Sequence, residues 1–174
     1  MAESVAAAIH ESRLEVRLAA STVENAILGL DRARSTLGAE EEAGVGLLET
    51  GLELVMAQER VPTVHRAAER AVALVRESDR ATAELSIACV SAGIDLAGYD
   101  EIMAATVELW SERGELASEL TKFATGVVDL LRALDASDAL GDTEFTDEIA
   151  EEFVAEFARL GGELSPQGSS PRPE

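Results

Sequence analysis

His10, His65 and Cys89 are the residues of this chain whose types are best suited to chemistry. A di-iron carboxylate site in a helical protein needs Glu-x-x-His on two helices, with further glutamates facing it. Here Ala7 stands three before His10 and Pro62 three before His65, so the motif fails at both histidines. His65 and Glu69 fall i,i+4, a single pair without a further ligand type beside it, which reads as a surface histidine. Nucleophilic catalysis needs a Ser or Cys, a His and an acid converging in a pocket. Those residue types are present, but there is no Gly-x-Ser-x-Gly elbow and no Gly-x-x-x-x-Gly-Lys-Ser/Thr phosphate loop. Residues 135–141 lack the sixth-place glycine and the closing glutamate of an EF-hand, so their acids read as a solvated connection. Cys89 is the only cysteine, which excludes an intramolecular disulfide. It falls on an apolar repeat and reads as a small buried hydrophobe rather than a reactive thiol. The expectation is a protein without enzymatic activity, catalytic residues, cofactor or metal.

The elements that would carry these residues are long helices. From Pro62 to about Leu96, Val64, Ala71, Ser78, Leu85 and Ala92 fall seven apart, with Ala68, Val75, Thr82, Cys89 and Leu96 four further on. Both series lie on one face of a helix. Residues 61–98 carry a net charge of −1, against −6 for residues 1–60 and −13 for residues 99–174. Unpaired charge is costly to bury, so this near-neutral segment is expected to be the interior helix. Ile9, Val16, Val23, Leu30 and Leu37 set a first helix over 3–37, in which Leu14, Leu18, Ile27 and Leu28 widen the stripe enough to touch more than one neighbour. A short amphipathic helix over 47–60 follows, ended by Pro62, which disfavours a helical Val61 and suits the first position of the next helix. Ile102, Leu109, Leu116, Phe123 and Leu130, with Leu120, Val127 and Leu134, define a helix over 101–134; Thr106 and Arg113 extend the second series. The last helix spans 144–160, with Thr146 as N-cap, Ile149, Phe153, Phe157 and Leu160 on one stripe, and Gly161-Gly162 as its stop.

Length and composition fit one helical domain with an aliphatic core: 47% of the 174 residues are hydrophobic but only 3% aromatic. The formal net charge of −20 argues against nucleic acid and anionic membrane as partners. No apolar run approaches the ~20 residues that span a bilayer. Met1-Ala2-Glu3-Ser4 has neither a basic nor an apolar leader character, so a cytoplasmic protein is expected, with non-classical secretion as the alternative route.

Residues 1–98 resemble the actinobacterial WxG-type helical hairpins of type VII secretion. The resemblance rests on a helix ending Leu30-Asp31-Arg32-Ala33-Arg34-Ser35-Thr36-Leu37-Gly38, a Glu/Gly-rich turn and a second Ala-rich helix. It implies a non-enzymatic hairpin that assembles in pairs. The chain departs from the pattern in having Gly44-Val45-Gly46 where Trp-x-Gly would stand, and Met103 four after Tyr99 where an acid would stand.

The sequence therefore predicts an all-α, mostly antiparallel bundle of three long helices, one short connecting helix and a short C-terminal helix. Residues 1–160 form the single domain and residues 161–174, rich in Pro and Ser, a disordered tail. The predicted function is a protein–protein interaction module whose partner is another protein or a second copy of the chain. The alternatives are a type VII secretion-associated hairpin and a small-molecule carrier or enzyme with a pocket between helices around Cys89, Trp110 and Phe123. Trp110, Phe153 and Phe157 are the candidate partner-binding residues.

Overall fold

The computed structural model describes residues 2–36, 43–94, 100–136 and 146–165. They form four helices: α1 (Ala2–Thr36), α2 (Ala43–Ala92), α3 (Asp100–Asp135) and α4 (Asp147–Leu164). No strand occurs among the described residues. The predicted break between a short helix and the central helix is absent, because α2 runs through Pro62. Proline in a helix interior removes one backbone hydrogen bond. That loss is offset by packing on both sides of it: Ala57 before it and Val64, Ala67, Ala68 and Ala71 after it are all buried, while Pro62 itself is exposed.

Helix ends follow local chemistry. Gly93 adopts φ 69°, its N–H donates to Val90 O (3.2 Å), and Ile94 N–H donates to Cys89 O (2.9 Å), the paired bonds of a Schellman stop for α2. Thr146 caps α4, its hydroxyl accepting from Ile149 N–H, with Asp147 and Glu148 in the first turn. Gly161 and Gly162 do not stop α4, which continues to Leu164. Gly161 sits where an added Cβ would stand 3.6 Å from Ala117, and Leu160 and Leu164 are both buried, so tertiary packing carries the helix past its weakest residues. Residues 161–164 of the predicted tail are thus helical, with Gly161 and Leu164 buried; the remainder of the predicted tail, 166–174, lies outside the described residues, as does the predicted helix start at 144–145.

Cross-helix contacts fix the topology. Glu15 meets Arg70, and Ser12 lies beside Leu74, so α1 and α2 are antiparallel. His10 meets Glu112 while Val23 abuts Gly126, so α1 and α3 run parallel. Arg132 meets Asp147 at one end of the α3–α4 pair and Arg113 meets Leu164 at the other, making it antiparallel. His65–Glu156 and Arg76–Glu163 run in step along α2 and α4, which are parallel. The helices thus alternate in direction along the chain, yet the spatial neighbours α1/α3 and α2/α4 are parallel. α2 and α3 stand diagonally and barely touch, with α1 in the groove on one side of them and α4 in the groove on the other.

α1, rather than the near-neutral α2, is the helix shared by the two most extensive interfaces. Its charges did not prevent this, because Arg13 pairs with Glu112 and Glu115 of α3, and Glu15 with Arg70 of α2. Leu14, Leu18 and Leu28 remain about half exposed on its outer side. The core runs through Ile9, Val16 and Val23 from α1; Val64, Ala71 and Val75 from α2; Leu116, Leu120 and Phe123 from α3; and Phe157 and Leu160 from α4, all from the predicted series. Leu164 from the predicted tail joins them, while Ile149 of the predicted α4 stripe is exposed.

Candidate functional site: a helix seat left open beyond α4

The heptads of α2 keep their register but lose their partners partway. Val64, Ala71, Val75 and Ser78 are buried, yet from Thr82 to Ile94 every residue except Cys89 is exposed. This stretch holds a single charged residue, Glu84. A helix segment that is apolar nearly all round is normally a buried one. The facing part of α3 behaves alike: Ile102, Met103, Val107 and Trp110 are 41–58% exposed, and Leu109 is the first buried residue of that helix among those described.

These exposed side chains are ordered by the same faces that hold α4. On α2, Arg76 touches Glu163 of α4. Ile87 and Ile94 follow Arg76 by 11 and 18 residues, about three and five turns, and so share its face; Val90 lies between them. On α3, Ala117 is the residue against which Gly161 of α4 packs. Trp110 and Met103 precede Ala117 by seven and fourteen residues and again share its face, with Val107 between. α4 ends at Leu164, level with Asp79 and Arg113. Past that point, by helix register, the α4-facing sides of α2 and α3 extend for about 20 Å, four helical turns, and carry exposed Ile87, Val90 and Ile94 on α2 and exposed Met103, Val107 and Trp110 on α3.

Arg113 closes the occupied half of the seat. It stands in the apolar series of α3 and is 2% exposed. Its guanidinium donates to both carboxylate oxygens of Asp79 on α2 (2.9 and 3.3 Å), and to the carbonyl oxygens of Leu164 (2.6 Å) and Ser165 (3.4 Å) at the end of α4. One cation thereby joins three helices and satisfies carbonyls that a helix C-terminus leaves without partners. A lone arginine within an otherwise apolar heptad series was the sequence signal for it.

The three predicted partner-binding residues do not form one site. Trp110 is 49% exposed on the open seat. Phe157 is core, its ring 5.7 Å from Phe123 and 5.0 Å from Phe153. Phe153 is half-buried and lines a separate surface groove of about 470 Å³ with Val61, Pro62, His65 and Glu156. In that groove His65 stands edge-on to Phe157, with Glu156 Oε1 3.0 Å from Nε2 and Glu69 Oε2 3.5 Å from Nδ1. Each ring nitrogen of His65 thus faces a carboxylate, Glu156 from α4 and Glu69 from its own helix. Arg159, hydrogen-bonded to Glu156, and then His65 hold the Glu156 carboxyl down to about 2, below its ordinary 4.5. The pair predicted at His65–Glu69 is thus the edge of a charge network over α2 and α4.

Cys89 and His65 lie on one helix about 36 Å apart, so they cannot act together. Of the residues named for the alternative inter-helix pocket, Trp110 and Phe123 are separated by about 20 Å along α3, the first exposed and the second fully buried. His10 belongs to a third cluster, its Nδ1 2.9 Å from Arg13 Nη2 and 3.1 Å from Glu112 Oε1. No group of three or more His, Cys, Asp or Glu side chains suited to a metal ion occurs among the described residues, and no described helix is long and apolar enough to cross a membrane.

No known protein family, no characterised protein sequence and no solved structure matches this chain.

Proposed function

We propose that the protein is a non-enzymatic protein–protein interaction module that receives a helix of a partner in the seat left open beyond α4. The observation that carries this reading is the alignment of exposed Ile87, Val90, Ile94, Met103, Val107 and Trp110 on the two faces that hold α4 further along. Scattered apolar side chains are ordinary on a protein surface; a contiguous set on facing helices marks an interaction site. Helix-in-groove recognition uses such walls, read by the partner at i, i+3/i+4 and i+7. The test is co-purification from cells expressing the wild-type chain and an Ile87→Ser/Val90→Ser variant. One stoichiometric protein retained by the wild type and lost by the variant is the expected result. Identical recovery by both chains refutes the reading.

A second reading, a secretion-associated helical hairpin, draws support from the antiparallel pairing of α1 with α2. It predicts the protein in the culture filtrate of a host with active type VII secretion; its absence there sinks that reading.

A further inference from the structure

We infer that the occupant of the open seat is a second copy of this chain, its own α2–α3 end packed antiparallel against these walls. The step rests on the docking reading above and names the partner. A helix that docks in an apolar groove presents anchors at i, i+3/i+4 and i+7. Met103, Val107 and Trp110 of α3 fall at i, i+4 and i+7, and Ile87 and Val90 of α2 at i and i+3, with Ile94 beyond them at the stop of the helix. No other exposed large apolar side chains among the described residues extend so far: Leu14 and Leu18 are followed by Ser21, and Leu52 and Val55 by Glu59. The walls thus carry the stripe that the seat requires of its occupant. Laid head to head, two copies bury both sets of walls in one isologous contact. Two helices from each copy then rebuild a four-helix cross-section past the level where α4 ends. Since the two ends overlap in opposite directions, the rest of each bundle lies outside the overlap.

Area and charge agree with this contact. The six wall side chains are 48–77% exposed, and at about 120 Å² each they offer roughly 700 Å² per copy, close to the ~800 Å² per partner of a stable interface. The net charge of −20 opposes self-contact in general, but none of it lies on the six wall residues. Glu84 is bonded by Arg80, and Glu108 lies with Glu112 on the α1-facing side of α3. An antiparallel overlap of about 20 Å holds the two α2–α3 ends apart by more than twice the Debye length of ~8 Å at physiological salt. The chain's own tail fits worse: residues 166–174 hold no large apolar side chain to cover the walls, and three prolines that oppose a helix.

The test is the mass of the full-length chain by light scattering across a dilution series, with emission followed from Trp110, the only tryptophan. The expected result is twice the chain's 18.4 kDa at tens of micromolar, and emission that moves to the red as dilution separates the copies. Added salt tightens the dimer, because screening relieves repulsion between two acidic bodies and leaves the apolar contact in place. Ile87→Ser/Val90→Ser on one wall and Met103→Ser/Val107→Ser on the other each raise the dissociation constant at least about a hundredfold, since every change is made in both copies. Leu14→Ser/Leu18→Ser, on the outer side of α1, leaves the dimer intact, and circular dichroism confirms that each variant folds. A dimer that persists in both wall variants, or that Leu14→Ser/Leu18→Ser abolishes, overturns the inference. So does a mass that climbs past two chains with concentration, which marks a head-to-tail contact. A single-chain mass for the wild type also overturns it. The docking reading survives that last result if co-purification recovers a different protein that Ile87→Ser/Val90→Ser loses, and falls with it otherwise. With a tagged and an untagged copy in one cell, the stoichiometric protein expected in that co-purification is the untagged chain.

Discussion

Removing the half-exposed partner of the Arg113–Asp79 pair is predicted to destabilise the protein more than removing the buried one. Arg113 is 2% exposed, whereas the Asp79 side chain is 52% exposed. In Asp79→Ala the guanidinium stays buried with only the Leu164 and Ser165 carbonyls for company, and stranding a buried ion costs roughly 3–5 kcal/mol. Relief of one negative charge in a chain at −20 works slightly the other way. In Arg113→Met the aliphatic stem is replaced in kind, and Asp79 turns to water at little cost. What is lost is the short charge-assisted bond to the Leu164 carbonyl, the long one to the Ser165 carbonyl and a half-exposed ion pair, together roughly 2–3 kcal/mol. The double variant has no stranded charge and should sit near Arg113→Met alone, so the second substitution rescues the first. Urea unfolding followed by circular dichroism gives all three values, with an unchanged m-value as the check on the unfolded state. Additive costs, or an Asp79→Ala cost below about 1 kcal/mol as for an ordinary surface pair, would refute the reasoning.

Pro62→Ala should stabilise α2 by about 1–2 kcal/mol in urea unfolding, the restored Gln58 rung outweighing the greater freedom of the unfolded chain. A neutral or negative effect would mean that Pro62 begins a helix rather than interrupting one. Glu156 is held at about 2, so its contribution to stability is complete above its ordinary 4.5 and disappears as pH falls through about 2. The stability gap between wild type and Glu156→Gln should therefore be constant above that range and close between the two values; a gap that persists at the acid end contradicts the Arg159–Glu156–His65 network. Gly162→Ala, where an added Cβ meets nothing within 4 Å, should gain about 0.5–1 kcal/mol by helix propensity, measured by thermal unfolding; a loss would contradict the extension of α4 to Leu164.

The all-helical fold, the core faces of α1 and α3 and the cap at Thr146 were legible because each is a local pattern: a repeat of seven, or a side chain three residues from the N–H it accepts. Two breaks were misread for one reason. Pro62 and Gly161-Gly162 are local helix breakers, and what overrides them is burial of Val64, Ala68, Leu160 and Leu164 against helices far away in sequence. Segment charge placed α2 in the interior because the sum ignores pairing across helices, which lets α1 keep Arg13 and Glu15 and still lie between α2 and α3. Heptads recorded which residues share a face but not where neighbouring helices end. Leu85 and Ile102 therefore sit in register yet stand 48% and 41% exposed beyond the described packing. Of the three anchor residues, Trp110 was placed on the open seat, while Phe157 went to the core, a distinction that depends on where α4 stops.

The central claim, that a partner helix occupies the seat beyond α4, is tested most directly by site-specific photo-crosslinking in cells. A photoreactive residue is placed at Val90 or Val107 on the seat and at Leu28, about half exposed on the outer side of α1, as the control. One protein adduct shared by the two seat positions and missing at Leu28 is the expected result. No adduct at the seat, or the same adduct at all three positions, would contradict it.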